Sequence, residues 1–281
     1  MTAAPVAAPT EVRTHPIGLV PAVLVCGAAV LLFGFLLPLA GYAMLLAGLV
    51  AAWLTDRSGR TSRLLPDLFL IALGQAIIST ISLEADISYP AIVRFAVVLG
   101  LAVAVPYVLS RYWYGDRVIR FPWRTGRRWT RTQWIYLLAV TVTGWLILPF
   151  YFITSGVYQN WPTVTEPDEI ARLFVGVNAV GTWDELFFIC TVFALLRRHF
   201  PTWQANLLQT VVFVSFLWEL GYQSWGPLLT IPFALIQGYT FKLTKSLTYV
   251  LVVHLIFDAV VFCVIVYAHN GWPAIFPLVP A

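Results

Sequence analysis

The chain has 281 residues, of which 60% are hydrophobic and only 11% are charged. Because soluble domains contain about 25% charged residues, this composition excludes an ordinary soluble protein and indicates an integral membrane protein. The net charge of +4 reflects basic loops between apolar segments. Such loops are typical of membrane proteins, so we expect the lipid bilayer, and no nucleic acid, as a partner.

Apolar runs predict an all-α polytopic transmembrane bundle of about nine helices. The predicted bounds are 17–37, 39–54, 68–83, 90–110, 134–154, 171–196, 202–222, 227–241 and 246–268. Residues 1–16 are rich in Ala, Pro and Thr, and we expect them to form a disordered tail. Four parts follow: this tail, N-terminal membrane helices over 17–154 with an arginine-rich loop at 111–133, a membrane core over 171–268, and a C-terminal tail over 269–281.

Charged loops predict the orientation of the bundle. Basic clusters lie at 57–63, 111–131, 197–198 and 242–245, and with nine helices all four lie on one side of the membrane. The acidic loops at 84–89 and 156–170 then lie on the other side. Because basic loops stay in the cytoplasm, we expect a cytoplasmic N-terminus and an external C-terminus, in a bacterial plasma membrane.

Two adjacent carboxylates, Asp184 and Glu185, lie inside the sixth apolar run. A carboxylate at such depth costs about 3 kcal/mol on insertion scales, and such residues are usually functional. Successive residues of a helix are about 100° apart, so the two side chains are not expected to point equally at one spot. We predict that one of them, Glu185, reacts and that Asp184 forms supporting hydrogen bonds or holds the helix.

Three further ionisable side chains, Glu219, His254 and Asp258, lie in the seventh and ninth apolar runs. His254 and Asp258 are four residues apart and therefore share one helical face. We expect these side chains to converge with the acidic pair in one pocket, because facing lipid is costly. Such a pocket suits general base catalysis or cation binding. A polar cluster that only fixes the packing of the helices is the alternative interpretation.

The order of these residues resembles the CPBP intramembrane proteases, a family that includes the CAAX prenyl endopeptidases. The family's first motif, Glu-Glu-x-x-x-Arg, corresponds to 184–189, and its third, a His followed four residues later by Asn or Asp, corresponds to His254 and Asp258. Three positions depart from the family pattern. Asp184 stands where the first motif has its first glutamate, which is a mild change. Ile189 replaces the arginine, and Glu219 stands where the second motif, Phe-x-x-x-His, would place a histidine.

The resemblance implies a glutamate-dependent endopeptidase that cleaves a peptide or membrane-protein tail with an activated water. In family terms Glu185 would activate the water and His254 would stabilise the oxyanion or bind a metal. Asp258 would support His254, and Glu219 would replace the missing histidine. No cofactor is certain, and a divalent metal stays an open alternative. Two other functions also stay open: an inactive relative acting as a binding or scaffold subunit, and an ion-coupled transporter.

Overall fold

A computed structural model describes residues 16–123, 126, 128–271 and 275–279. Over these residues the protein is all-helical, with 77% helix and no strand, which confirms the predicted fold class. The expected disordered N-terminal tail falls on residues outside the described part, apart from Pro16. Of the predicted C-terminal tail, residues 272–274 and 280–281 also lie outside it.

Within the described residues the chain forms nine helices, in the order of the nine predicted apolar segments. They are α1 (Pro16–Gly34), α2 (Pro38–Arg57), α3 (Leu64–Ile78), α4 (Tyr89–Trp113), α5 (Arg131–Thr154), α6 (Pro167–Leu196), α7 (Thr202–Leu220), α8 (Pro227–Thr244) and α9 (Leu247–Asn270). By length and composition six of them can cross a membrane: α1, α2, α4, α5, α6 and α9. That all nine are membrane helices stays a prediction.

Local sequence signals fix where several helices begin. Proline occupies the first turn of α2, α4, α6 and α8, where its missing N–H leaves no hydrogen bond unmade. The hydroxyl of Ser88 accepts a hydrogen bond from the Ala91 backbone N–H at the start of α4. Ser246 caps α9 in the same way. These caps satisfy backbone N–H groups that have no partner inside the helix.

Helix α6 lies at the centre of the bundle. In its most apolar window 72% of the residues are buried, against 22% in α2 and in α4. Aromatic side chains of α6 pack on α7. Phe188 of α6 stacks on Phe213 of α7, with ring centroids 4.5 Å apart. The indole N–H of Trp183 donates a hydrogen bond to the carbonyl of Leu99 on α4, at 2.6 Å. Protein therefore surrounds α6, whereas α2 and α4 present apolar side chains outward.

Helix α5 is packed differently from the others. It lies along α9, and its described residues make at most isolated contacts with α4 and α8. Gly144 on α5 allows this approach, because a Cβ there would lie 3.1 Å from the ring of Phe257 on α9. Apolar space is therefore left on both sides of α5.

The basic loops meet at one end of the bundle, held by a cluster of ion pairs. Asp67 at the start of α3 is 3% exposed, and it binds Arg198 at 3.2 Å and His199 at 2.6 Å. Arg198 also pairs with Asp116, which in turn binds Arg63 at 3.3 Å. These contacts join the loops that follow α2, α4 and α6. The loops thus group as the charge pattern predicted, and the side of the membrane that they face stays a prediction.

Replacing Asp67 with Ala should destabilise the bundle by about 3 kcal/mol, because His199 and Arg198 then lose a buried partner. Thermal unfolding in detergent measures this as a lower Tm. Asp168→Ala is the matched control, since the Asp168–Arg172 pair has its carboxylate 60% exposed and should contribute less than about 1 kcal/mol. Equal Tm values for the two variants would contradict a stabilising role for the Asp67 cluster.

Candidate active site

Helices α6 and α9 bring four of the five predicted site residues together around one imidazole. His254 Nδ1 lies 2.8 Å from Glu185 Oε1. His254 Nε2, on the opposite edge of the ring, lies 3.6 Å from Asp184 Oδ2 and 3.8 Å from Asp258 Oδ1. All four residues are at most 5% exposed. Three carboxyl groups thus surround one imidazole in a buried site.

A widened turn in α6 explains how both adjacent acids reach His254. From Glu185 to Phe193 the helix is π-helical, and the Thr191 hydroxyl donates to the carbonyl of Leu186, five residues earlier, at 2.9 Å. π-Helical turns are rare in proteins, and those that occur are frequently at functional sites. Asp184 ends the α-helical part and Glu185 begins the π-helical part. The two carboxylates consequently approach different nitrogens of the ring.

Gln237 on α8 completes the cluster, although it was absent from the residues predicted from the sequence. It is fully buried, and its Nε2 donates to Glu185 Oε1 at 2.7 Å and to the Val250 carbonyl at 3.0 Å. One oxygen of Glu185 therefore accepts from both Gln237 and His254. The sequence does show an amide inside the apolar run of α8. The direction in which that side chain points, however, depends on how α8 packs against α6.

We expect Gln237→Leu to free Glu185 and to change the hydrogen bonding of His254. Losing the buried amide should cost about 1–3 kcal/mol. It should also shift the ring ¹⁵N resonances of His254, which report its tautomer. Gln209→Leu is a matched control: Gln209 is equally buried and donates to the Ala234 carbonyl at 3.0 Å. If both variants leave the His254 resonances unchanged, Gln237 does not position the ring.

A cavity of about 620 Å³ adjoins the cluster between α4, α5, α6, α8 and α9. Asp184, His254 and Asp258 line it, whereas Glu185 lies behind the imidazole and does not. Most of the lining is apolar, including Phe233, whose ring meets that of His254 edge-on at 5.0 Å. The arrangement is a small group of polar side chains in the wall of a large apolar chamber, which is typical of ligand sites.

Tyr222 is a second lining residue that sequence reasoning missed. It follows α7 and lies edge-on against the rings of Phe152 and Trp161, at 5.7 Å and 5.2 Å. Burial raises the pKa of its phenol well above the usual value, and the carboxylates of Asp258 and Asp184 raise the pKa further. The phenol therefore stays protonated beside the acids. Tyrosines near helix ends are commonly interface anchors, which is why the sequence did not single it out.

Close packing of α6 on α9 requires a glycine at position 181. A Cβ there would overlap the Asp258 carboxylate and would lie 3.2 Å from the ring of His254. Asp258 thus lies directly against the backbone of α6. Gly176, five residues before Gly181 on α6, also lines the cavity, but a Cβ there would meet nothing within 4 Å.

Gly181→Ala should displace Asp258 from His254 and destabilise the protein by about 1–3 kcal/mol, as overpacking does. Gly176→Ala should be neutral or slightly stabilising, because alanine favours helix and the site has room. Chemical unfolding of both variants in detergent measures the difference. A Gly181→Ala protein as stable as Gly176→Ala would mean that Asp258 is not held against α6.

The fifth predicted residue, Glu219, lies apart from the cluster. Its carboxylate accepts a hydrogen bond from the Leu83 backbone N–H at 2.9 Å, in the loop after α3. It does not line the cavity, and the α7 residues that do are Leu217 and Leu220. Helix α7 thus contributes apolar side chains to the chamber. Ile189, which replaces the family's arginine, is fully buried in the apolar core.

The arrangement of possible metal ligands decides whether the site can hold a divalent metal. Among the described residues, no group of three or more His, Cys, Asp or Glu side chains is arranged to hold a metal ion. His254 Nδ1 is engaged by Glu185, and the Glu185 oxygen that binds it also binds Gln237. We therefore derive no step through a metal.

Fold and site together define a helical membrane protein with an acid–histidine cluster buried between two of its helices. Residues 166–260 match the family described as type II CAAX prenyl endopeptidase Rce1-like, which confirms the predicted CPBP resemblance. The match contains all five predicted site residues and begins just before α6. Searches of curated proteins and of solved structures gave no match. The apolar helices and the family match indicate an integral membrane protein.

Proposed function

We propose that the protein is an intramembrane endopeptidase that hydrolyses a peptide or membrane-protein tail. The observation that supports this most is the position of Asp184, His254 and Asp258 in the wall of a 620 Å³ apolar cavity. The match to a family of CAAX prenyl endopeptidases agrees with it. The proposed location is a bacterial plasma membrane, with the basic loops in the cytoplasm.

Asp184 is the better candidate for the general base than Glu185. It lines the cavity, whereas Glu185 does not. Glu185 was given this role from the sequence. Its Oε1 is occupied by Gln237 and His254, and its side chain is fully buried behind the ring. A general base must reach the proton that it removes, directly or through one water.

The distances around His254 Nε2 leave room for a water molecule. At 3.6 Å and 3.8 Å, Asp184 and Asp258 are too far for direct hydrogen bonds and near enough for a bridging water. In the proposed reaction Asp184 takes a proton from this water while the oxygen of the water attacks the scissile carbonyl carbon. The C–N bond then breaks, and the proton passes from Asp184 to the leaving amine. The products are a carboxyl group and an amine.

His254 stabilises the oxyanion that forms during the attack. Glu185 accepts the Nδ1–H at 2.8 Å and so holds the ring with Nε2 toward the cavity. When the ring is protonated, Nε2–H can donate to the negative oxygen of the tetrahedral intermediate, which is a major source of rate acceleration in acyl transfer. Glu185 and Gln237 act as positioning residues, and Asp258, four residues after His254 on α9, lies 3.8 Å from Nε2.

A catalytically inactive relative is the second candidate, favoured by the missing histidine and arginine of the family pattern. The α7 residues in the cavity wall are apolar, Leu217 and Leu220, and Ile189, at the position of the arginine, is buried in the apolar core. Such a protein would bind an apolar tail without cleaving it. Ion-coupled transport stays a prediction that no specific contact favours.

Asp184→Asn and His254→Gln should each reduce peptide cleavage at least about 100-fold, the usual loss for a catalytic base or an oxyanion donor. Proteoliposomes with fluorogenic peptides of graded apolar length provide the assay. Glu219→Gln is the control and should retain activity, because Glu219 lies outside the cavity.

Two outcomes would change this assignment. Full cleavage by Asp184→Asn together with loss in Glu185→Gln would return the base to Glu185. An inactive wild-type protein that gains cleavage only after Leu217→His and Ile189→Arg would identify the inactive relative.

A further inference from the structure

We propose that this cavity receives its substrate from the non-cytoplasmic side of the membrane, as an apolar segment in the outer half of the bilayer. The word substrate rests on the proposed function, whereas the direction of access rests on the shape of the bundle and the charge of its loops. The two ends of the cavity differ in what surrounds them, and the charge of the loops tells the ends apart.

The end of the cavity remote from the basic loops reaches the protein surface. Its lining includes Asp86, which is exposed in the loop between α3 and α4, and Tyr222 in the loop between α7 and α8. Trp161, between α5 and α6, lines it too. These loops meet at one end, since Asn160 donates to the Gly221 carbonyl at 2.8 Å and Arg172 binds the Ile87 carbonyl.

Toward the basic loops the cavity lining ends at Tyr136, five residues after the start of α5, and apolar side chains fill the space beneath the acid–histidine cluster. Cys190, Leu247 and Val250 form a buried apolar group there, covered by Phe121 from the loop after α4 and by Phe241 from α8. The Leu247 backbone N–H donates to the Pro122 carbonyl at 3.1 Å and so ties that loop to the start of α9. Within the described part of the chain, no residue of the basic loops lines the cavity.

Charge assigns these ends to the two faces of the membrane. The closed end adjoins the loops with Arg63, Arg198 and Lys245, which the positive-inside rule places in the cytoplasm. The reachable end lies opposite these basic loops and therefore faces outward. A peptide in the cytoplasm would have to pass Tyr136 or displace the apolar group around Leu247 to reach His254.

The sides of the cavity define the chemistry of what enters. Three apolar lining residues, Ile147 on α5, Ile236 on α8 and Val175 on α6, are 39%, 47% and 58% exposed. Among the described helices, α9 is the one that packs closely along α5. The cavity therefore opens toward lipid on both flanks of α5. An apolar chain already in the membrane can therefore enter sideways without crossing water, which a polar soluble peptide cannot do.

Cysteine labelling from each face of the membrane tests this direction. In a Cys263→Ser background the two other cysteines are buried. Ala85→Cys at the cavity mouth and Thr143→Cys on its wall report access, and exposed Arg60→Cys marks the basic side. The probe is a sulfonated maleimide, applied to right-side-out and inside-out vesicles.

Both cavity cysteines should react at least about 10-fold faster in right-side-out vesicles, because the charged reagent cannot cross the hydrocarbon core. Arg60→Cys should show the reverse. Faster reaction of Thr143→Cys in inside-out vesicles, equal rates from both faces, or no reaction from either, would each overturn the proposal. Labelling does not depend on turnover, so an inactive protein with outward access would refute the peptidase and leave the direction of access standing.

Discussion

The Glu185 carboxylate accepts hydrogen bonds from Gln237 and His254 through a single oxygen, and this shared acceptor joins α6, α8 and α9. The remaining geometry of the site depends on it: the imidazole is held by one edge, so its other edge faces Asp184, Asp258 and the cavity. A buried carboxylate is tolerable only where such donors surround it. The same contact therefore stabilises the packing of three helices and orients a reactive ring.

Much of the fold is visible in the sequence because hydrophobic length is a strong signal. The order of the nine apolar segments matches the nine helices, and prolines and capping serines mark several of their starts. The six helices that can span a membrane are recognised by the same property. The weaker signals belong to α3, α7 and α8, whose length or polarity is intermediate. Their relation to the bilayer depends on neighbours that a linear hydropathy pattern does not contain.

Prediction of the site succeeded where the spacing of residues along one helix fixes their relative position. It was weaker where the packing between helices determines that position. His254 and Asp258 share a face because they are four residues apart, and both reach the acidic pair. The direction of each acid was not readable, because the π-helical turn at Glu185 changes the angle between neighbours. Glu219 seemed equivalent to a family histidine by position, yet its helix turns it toward Leu83. Gln237 and Tyr222 have no motif, and only three-dimensional packing brings them to the site.

Helix α5 packs along α9, and at its end it also meets the loop after α7, where Tyr222 lies against Phe152. In a bilayer, lipid acyl chains would therefore form part of the chamber wall beside α5. The thickness of the bilayer and the order of its chains then become determinants of the site's volume, alongside residues such as Ile147 and Ile236. A detergent micelle supplies a different wall, so the chamber of this protein is completed by the membrane in which it is placed.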